Sequence, residues 1–186
     1  LEIRFDEPVT DHAANPYGID LLIFGNSFLV GFDFPFDPTD AAIAASVDGG
    51  LIEVSADGVN YVSVAGVADG LFPTNGYADL NDPYATSPGA VPSNFTLPVN
   101  PAFDPVGKTY AEILAGYNGS GGGFGVDLAP TGLASISFVR ITTPLGAQFV
   151  PEIDGFADVA AVPEPAASSA FLAAAVLIAW QTRKRR

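Results

Sequence analysis

Glycine and proline punctuate this chain at short intervals, and no other feature limits its folding so severely. A glycine inside a regular element costs roughly 0.5–1 kcal/mol relative to alanine, and a proline in a helix interior about 3 kcal/mol. With 20 Gly and 16 Pro, long regular elements are excluded over most of the sequence. The intervals between these breaks are rich in Val, Ile, Phe and Tyr, which suit a pleated, half-buried surface. The chain therefore reads as short strands joined by many turns. Its 186 residues allow one core and a short appendage rather than two domains.

The strands can be placed from their periodicity. Leu1, Ile3 and Phe5 alternate with Glu2, Arg4 and Asp6, a half-buried strand expected to end at Pro8. Asp20 to Phe24 is a nearly continuous apolar run, which fits a central strand. Leu51–Ser55 and Tyr61–Val64 flank a segment containing Asp57-Gly58, a strong turn pair, and predict a hairpin. Ile136 to Ile141 reads as a core strand and Ile153 to Val159 as the closing one.

Between Ala65 and Pro105 the pattern dissolves. Pro83, Pro88, Pro92, Pro98 and Pro101 forbid regular sheet through most of it, leaving a long irregular excursion. Tyr110 to Tyr117 predicts one short helix, and Asn118 to Gly125 reads as a flexible glycine-rich link. It lacks the Lys of a phosphate-binding loop, so a phosphate cradle is not expected there. Seven or eight strands without a single Cys predict an all-β, jelly-roll-like antiparallel sandwich over residues 1–160 with long irregular loops.

Charge divides sharply along the chain. Residues 1–165 carry three basic and 21 acidic residues, a formal −18, whereas Arg183, Lys184, Arg185 and Arg186 form a terminal basic run. A body this acidic repels phosphates, which excludes nucleic acid as a partner. The chain opens at Leu1, contains no Met and begins directly in a strand pattern, so a fragment or mature form of an exported protein is expected.

Ahead of the basic run, Ala166 to Trp180 contains no charge. As a helix it would be roughly 22 Å long, short of a ~30 Å hydrocarbon core unless Gln181, Thr182 and snorkelling basic side chains complete the span. Phe171, Leu172, Val176, Leu177 and Ile178 each favour insertion by only ~0.3–0.6 kcal/mol, which suits a temporary anchor. The basic run orients such a single C-terminal transmembrane helix with Arg183 to Arg186 in the cytoplasm and residues 1–165 outside.

Val162-Pro163-Glu164-Pro165, the apolar segment and the basic terminus, in that order, resemble the tripartite PEP-CTERM sorting signal. The resemblance covers residues 161–186. It implies recognition by a membrane-embedded, exosortase-type processing enzyme and cleavage near Pro163, Glu164 and Pro165. The body would then join the cell surface or an extracellular polysaccharide matrix.

The body carries a resemblance of its own. Phe5-Asp6-Glu7-Pro8-Val9, Ile23-Phe24-Gly25-Asn26-Ser27-Phe28, Glu53 to Tyr61, Phe138 to Thr142 and Glu152 to Gly155, in this order, are similar to discoidin or galactose-binding-like sandwiches of exported bacterial proteins. The insertion around Gly70 to Pro105 departs from that pattern.

Candidate sites in the body are few. Hard cations want several oxygen ligands, and two loop sets offer them: Asp33, Asp37 and Asp40, or Asp79, Asn81 and Asp82. Calcium is the cofactor such loops would take, although turn carboxylates that cap their own backbone account for the same pattern, and otherwise no cofactor is expected. Tyr77, Tyr84, Phe95 and Phe103 lie in the excursion, where exposed rings beside acids could bind a sugar, Tyr77 and Tyr84 being the candidate ligand contacts, or could anchor the loop to the body. His12 is the only histidine and no nucleophile-elbow motif is present, so the chain is not expected to be an enzyme. Asn94-Phe95-Thr96 and Asn118-Gly119-Ser120 match the glycosylation pattern, which is common by chance.

The expectation is thus an exported bacterial protein: a single-pass membrane precursor, then a surface or extracellular-matrix component with a structural or adhesive role. The alternative is a carbohydrate-binding module supported by calcium.

Overall fold

The structure, a computed structural model, describes residues 1–31, 39–79 and 89–159. Its strands are β1 (Glu2–Thr10), β2 (Leu21–Gly25), β3 (Phe28–Val30), β4 (Ala44–Ser46), β5 (Leu51–Ser55), β6 (Val62–Val64), β7 (Phe124–Val126), β8 (Ser135–Thr142) and β9 (Ile153–Asp158), with one helix, α1 (Tyr110–Tyr117). All strand pairings are antiparallel. A four-stranded sheet runs β1-β8-β5-β6, a three-stranded sheet runs β7-β2-β9, and β3 pairs with β4. The all-β expectation holds, and the predicted hairpin forms with Val54 opposite Val62 and Ile52 opposite Val64.

The two larger sheets close on a common core. Val9 of β1, Ile52 and Val54 of β5, and Ile136, Val139 and Ile141 of β8 pack in one cluster with Leu21 and Ile23 of β2 and Val126 of β7. Each such side chain contributes roughly 1.5–3 kcal/mol by leaving water. On β2 the alternate residues Leu22 and Phe24 join Ile19 and Val159 in a second cluster on the opposite face. This strand is buried on both sides, which explains why its sequence is apolar without alternation.

Pro8 does not end β1 as expected. The pairing with β8 steps from Arg4–Phe138 to Val9–Ile136, so four residues of β1, Phe5 to Pro8, stand against one of β8, Ser137, and the chain bulges around the proline. This is tolerated because β1 is an edge strand, with a free side on which the missing N–H is not needed.

The glycine-rich segment is a larger departure. It is not a flexible link: Ser120 and Gly121 to Gly123 are buried, and the segment is stitched to the excursion on both sides. Gly121 donates to Asn94 at 2.9 Å and accepts from Asn75 at 2.9 Å, Gly123 donates to the Phe72 carbonyl at 2.9 Å, and Ser120 donates through its hydroxyl to Leu97 at 2.6 Å. Glycine is required here for close approach: a methyl group at Gly121 would meet the Phe95 ring at 2.8 Å, and one at Gly123, where φ is +86°, would meet Phe24 at 2.8 Å.

The excursion and α1 together form a further layer over the outer face of β2. Phe95 packs edge-to-face on Phe24 with centroids 5.2 Å apart, and Ala42, Val99, Ile113 and Tyr117 make a third buried cluster. Helix α1 begins with a capping box in which Thr109 and Glu112 exchange side-chain and backbone bonds, and it ends at Asn118 in the left-handed region. Among the described residues no helix is long and apolar enough to cross a membrane. The helix expected within 166–180 lies outside them, as does all of 161–186.

Candidate functional site

Many of the sequence-predicted site residues fall outside the described residues: Pro163, Glu164, Pro165, Arg183, Lys184, Arg185 and Arg186 of the tail, Tyr84, Asn81 and Asp82 of the excursion, and Asp33 and Asp37. Tyr77 and Asp79 are described, and they stand at the neck of one loop. Tyr77 bridges to Pro92, Ala78 donates to Val91 at 2.9 Å and Ser93 donates to Gly76 at 3.0 Å. The Asp79 carboxylate accepts from the N–H groups of Ala90 at 2.9 Å and Val91 at 2.8 Å, which holds its pKa below the usual carboxylate range. Asp79 therefore clamps the two ends of the loop. Tyr77 is half-buried in that neck.

The other two candidate rings serve as anchors. Phe95 seats on Phe24, and Phe103 lies edge-on to Tyr117 at 6.5 Å. Between the excursion and the outer face of the three-stranded sheet runs a groove of about 250 Å³, lined by Ile19, Leu22, Phe72, Pro98, Val99 and Phe124 among others. Its walls are largely hydrocarbon, and it offers no convergent set of polar groups from those side chains.

The carboxylates of the body were not legible as a site, and the structure sorts them by role. Asp57 accepts from Val59 at 2.9 Å, Asn60 at 2.8 Å and the Asn60 side chain at 2.8 Å, and these bonds hold its pKa far below the usual range. It locks the β5–β6 turn. Glu53 takes the Arg140 guanidinium at 2.9 Å, and the same guanidinium lies 3.8 Å from the centre of the Tyr61 ring. Asp20, with no exposed surface, accepts from His12 N–H at 3.0 Å, the Asn15 amide at 2.8 Å and Leu128 N–H at 2.9 Å. It ties the 11–18 loop to the segment after β7. Asp69, also with no exposed surface, accepts from Ser27 N–H through Oδ1 at 2.9 Å, while its Oδ2 has no partner. Burial pushes its carboxyl up despite the N–H groups facing it, and the nearby charge of Asp48 adds to the rise.

His12 is used locally. Its Nδ1 accepts from Ala14 N–H at 3.1 Å, which caps the turn that follows β1. Among the described residues no group of three or more His, Cys, Asp or Glu side chains is placed to hold a metal ion.

One strained residue escaped the sequence reading. Tyr17 has φ +60° and ψ 13° and is followed by Gly18 at φ +72°, and the tyrosine residue is 56% exposed. No pattern in the sequence marks Tyr17; only the Pro-Tyr-Gly triplet hints at a tight turn. The turn lies beside Val159, the last described residue, because Ile19 packs against Val159 and Val159 N–H donates to the Asp20 carbonyl at 2.9 Å.

Comparison with protein-family models, with curated proteins and with solved structures finds no match to this chain.

Proposed function

We propose that this chain is an exported bacterial surface or extracellular-matrix protein whose C-terminal tail is sorted, and cut, by an exosortase-type membrane enzyme. In this reading the body is a jelly-roll-like sandwich with a structural or adhesive role, followed by a single transmembrane helix that serves as a temporary anchor. It is a substrate of that enzyme and not an enzyme itself. The observation that carries the reading is the order Pro163-Glu164-Pro165, uncharged Ala166 to Trp180, then Arg183 to Arg186.

Two features of the body support it. The described residues by themselves form three buried clusters, with Val159 in the second, which supports a body that folds as a unit ahead of the tail. The formal −18 of residues 1–165 favours the outer aqueous side over contact with anionic lipid or nucleic acid.

The test is the intact mass of the chain recovered from cells with and without the processing enzyme. A loss of mass corresponding to cleavage near Pro163 to Pro165, only where the enzyme is present, is the expected result. An unchanged, membrane-extracted chain in both strains would reduce the tail to a plain anchor and overturn the sorting role.

A further inference from the structure

The body holds its chain tightly up to Val159, the last described residue. Val159 is 4% exposed, sits in the second core cluster, and is hydrogen-bonded to Asp20, whose carboxylate in turn fixes the 11–18 loop and Leu128. Only residues 160–162 separate this fixed point from Pro163. Four residue steps reach at most roughly 14 Å even when fully extended. One α-helix with its side chains is already about 10–12 Å thick. Any enzyme that grips the Pro-Glu-Pro motif therefore has room for a single layer of its own structure before it meets the folded body.

The part of the body that it would meet is defined. Around Val159 stand the Pro16–Gly18 turn and the segment beginning at Asp127, with Gly18 packed so that a methyl group there would lie 3.7 Å from the Asp127 carboxylate. Asp11, Ala129, Pro130 and Asp158 are exposed on this end, as is Tyr17. Its acidic groups disfavour anionic headgroups and leave a protein surface as the better partner. Tyr17 is the part that folding does not explain. A tyrosine in the left-handed region is strained, glycine would be the unstrained choice, and the residue gains little burial within the chain. Aromatic side chains exposed at a fixed position are the commonest anchors of a protein interface.

We infer that the end of the body formed by the Tyr17 turn and the segment after Asp127 is the surface against which the processing enzyme docks, with Tyr17 as its anchor. Recognition upstream of the motif is then made with folded structure and not with extended chain. This inference rests on the sorting reading above, which supplies the enzyme.

Pulse-labelled full-length chain, followed in cells that contain the enzyme, tests it with two variants. Tyr17→Gly is expected to leave the thermal midpoint unchanged or raise it and to slow processing about tenfold, the factor for losing one anchoring contact. A twelve-residue Gly/Ser insertion between Ala161 and Val162 moves the body away from the motif, and in that background Tyr17→Gly should make no further difference. Should Tyr17→Gly fail to fold, the insertion alone decides, because loss of the docked body should itself slow processing of the otherwise native chain. If both variants are processed at the native rate, the docking surface is overturned while the sorting role stands. If the native chain is not processed at all, it is the sorting role that fails.

Discussion

Replacing Asp69 by Asn should stabilise the protein at neutral pH, an unusual result for a buried polar residue. The carboxylate has no exposed surface, an N–H bond from Ser27 to Oδ1 at 2.9 Å with the Glu152 and Asn26 N–H groups also facing it, no partner for Oδ2, and the like charge of Asp48 nearby. Leaving a buried acceptor unsatisfied costs about 1–3 kcal/mol, and more when it is charged. Asparagine keeps an oxygen for Ser27 N–H and removes the charge, so a gain of about 1–2 kcal/mol is expected at pH 8. For a body of this size that is a rise in Tm of roughly 2–8 °C. The pH dependence gives the sharper check. The folded carboxyl is raised above its usual 3.8, so the folded state holds this proton more tightly than the unfolded chain does. The native chain therefore loses stability as pH rises from about 4 through the folded pKa, and below about 4 its disadvantage relative to the variant disappears. Urea unfolding of both proteins from pH 3.5 to 8 isolates this residue as a difference, because carboxylates with depressed pKa titrate alike in the two. A difference that is flat across the range, or a variant less stable at pH 8, would refute the reasoning.

Three further outcomes follow from the same contacts. Asp20→Asn must turn an N–H₂ toward Leu128 N–H or toward the His12 and Asn15 donors, and should cost about 2–4 kcal/mol in chemical denaturation, since one of three bonds to a buried carboxylate becomes donor against donor. The β5–β6 turn should loosen in acid: the Asp57 carboxyl is depressed from 3.8, so its contribution is present above that value and lost as pH falls below it, and hydrogen exchange at Val59 and Asn60 should accelerate there while β8 stays protected. On a glycan array, with and without calcium, no sugar contact should depend on Tyr77; Tyr77→Ala should instead lower the thermal midpoint, and specific binding lost in that variant would favour the carbohydrate-binding alternative.

Where the body matched the sequence reading, the signal was local. The Asp57-Gly58 turn with its flanking Val residues, the apolar run of β2 and the helix Tyr110–Tyr117 each depend on a few neighbouring residues, and each is found where its pattern lies. Pro8 misled because its effect depends on whether the strand is at an edge, which is a property of the sheet and not of the residue. The glycine-rich segment misled for a related reason. Glycine signals freedom when nothing packs on it, but Gly121 and Gly123 are places where Phe95 and Phe24 approach the backbone from positions 26 and 99 residues away. Asp69 and Tyr17 were invisible because burial without a partner and a strained φ are tertiary outcomes, whereas Asp79 was visible as an acid but its clamp on Ala90 and Val91 was not, because those N–H groups lie across a loop.

The closing strand sets where the protein can be divided. β9 pairs along the whole of β2, from Leu21 opposite Asp158 to Gly25 opposite Ile153, and it supplies Ile153 and Phe156 to the main core. A chain ending at Val159 keeps all of these contacts and the Val159–Asp20 bond, so it should unfold as cooperatively as the full chain, with a similar midpoint. A chain ending at Val150 loses Ile153 and Phe156 from the main core and Val159 from the second cluster, worth roughly 4.5–9 kcal/mol together, and leaves one edge of β2 unpaired. Against a typical stability of about 5–15 kcal/mol, that loss should leave it unfolded or aggregated near its growth temperature. Circular dichroism melts of the two truncated chains test this directly. If the shorter chain melts cooperatively, β9 is not part of the core, the fixed point at Val159 is lost, and the short tether that places the processing enzyme against the body no longer holds.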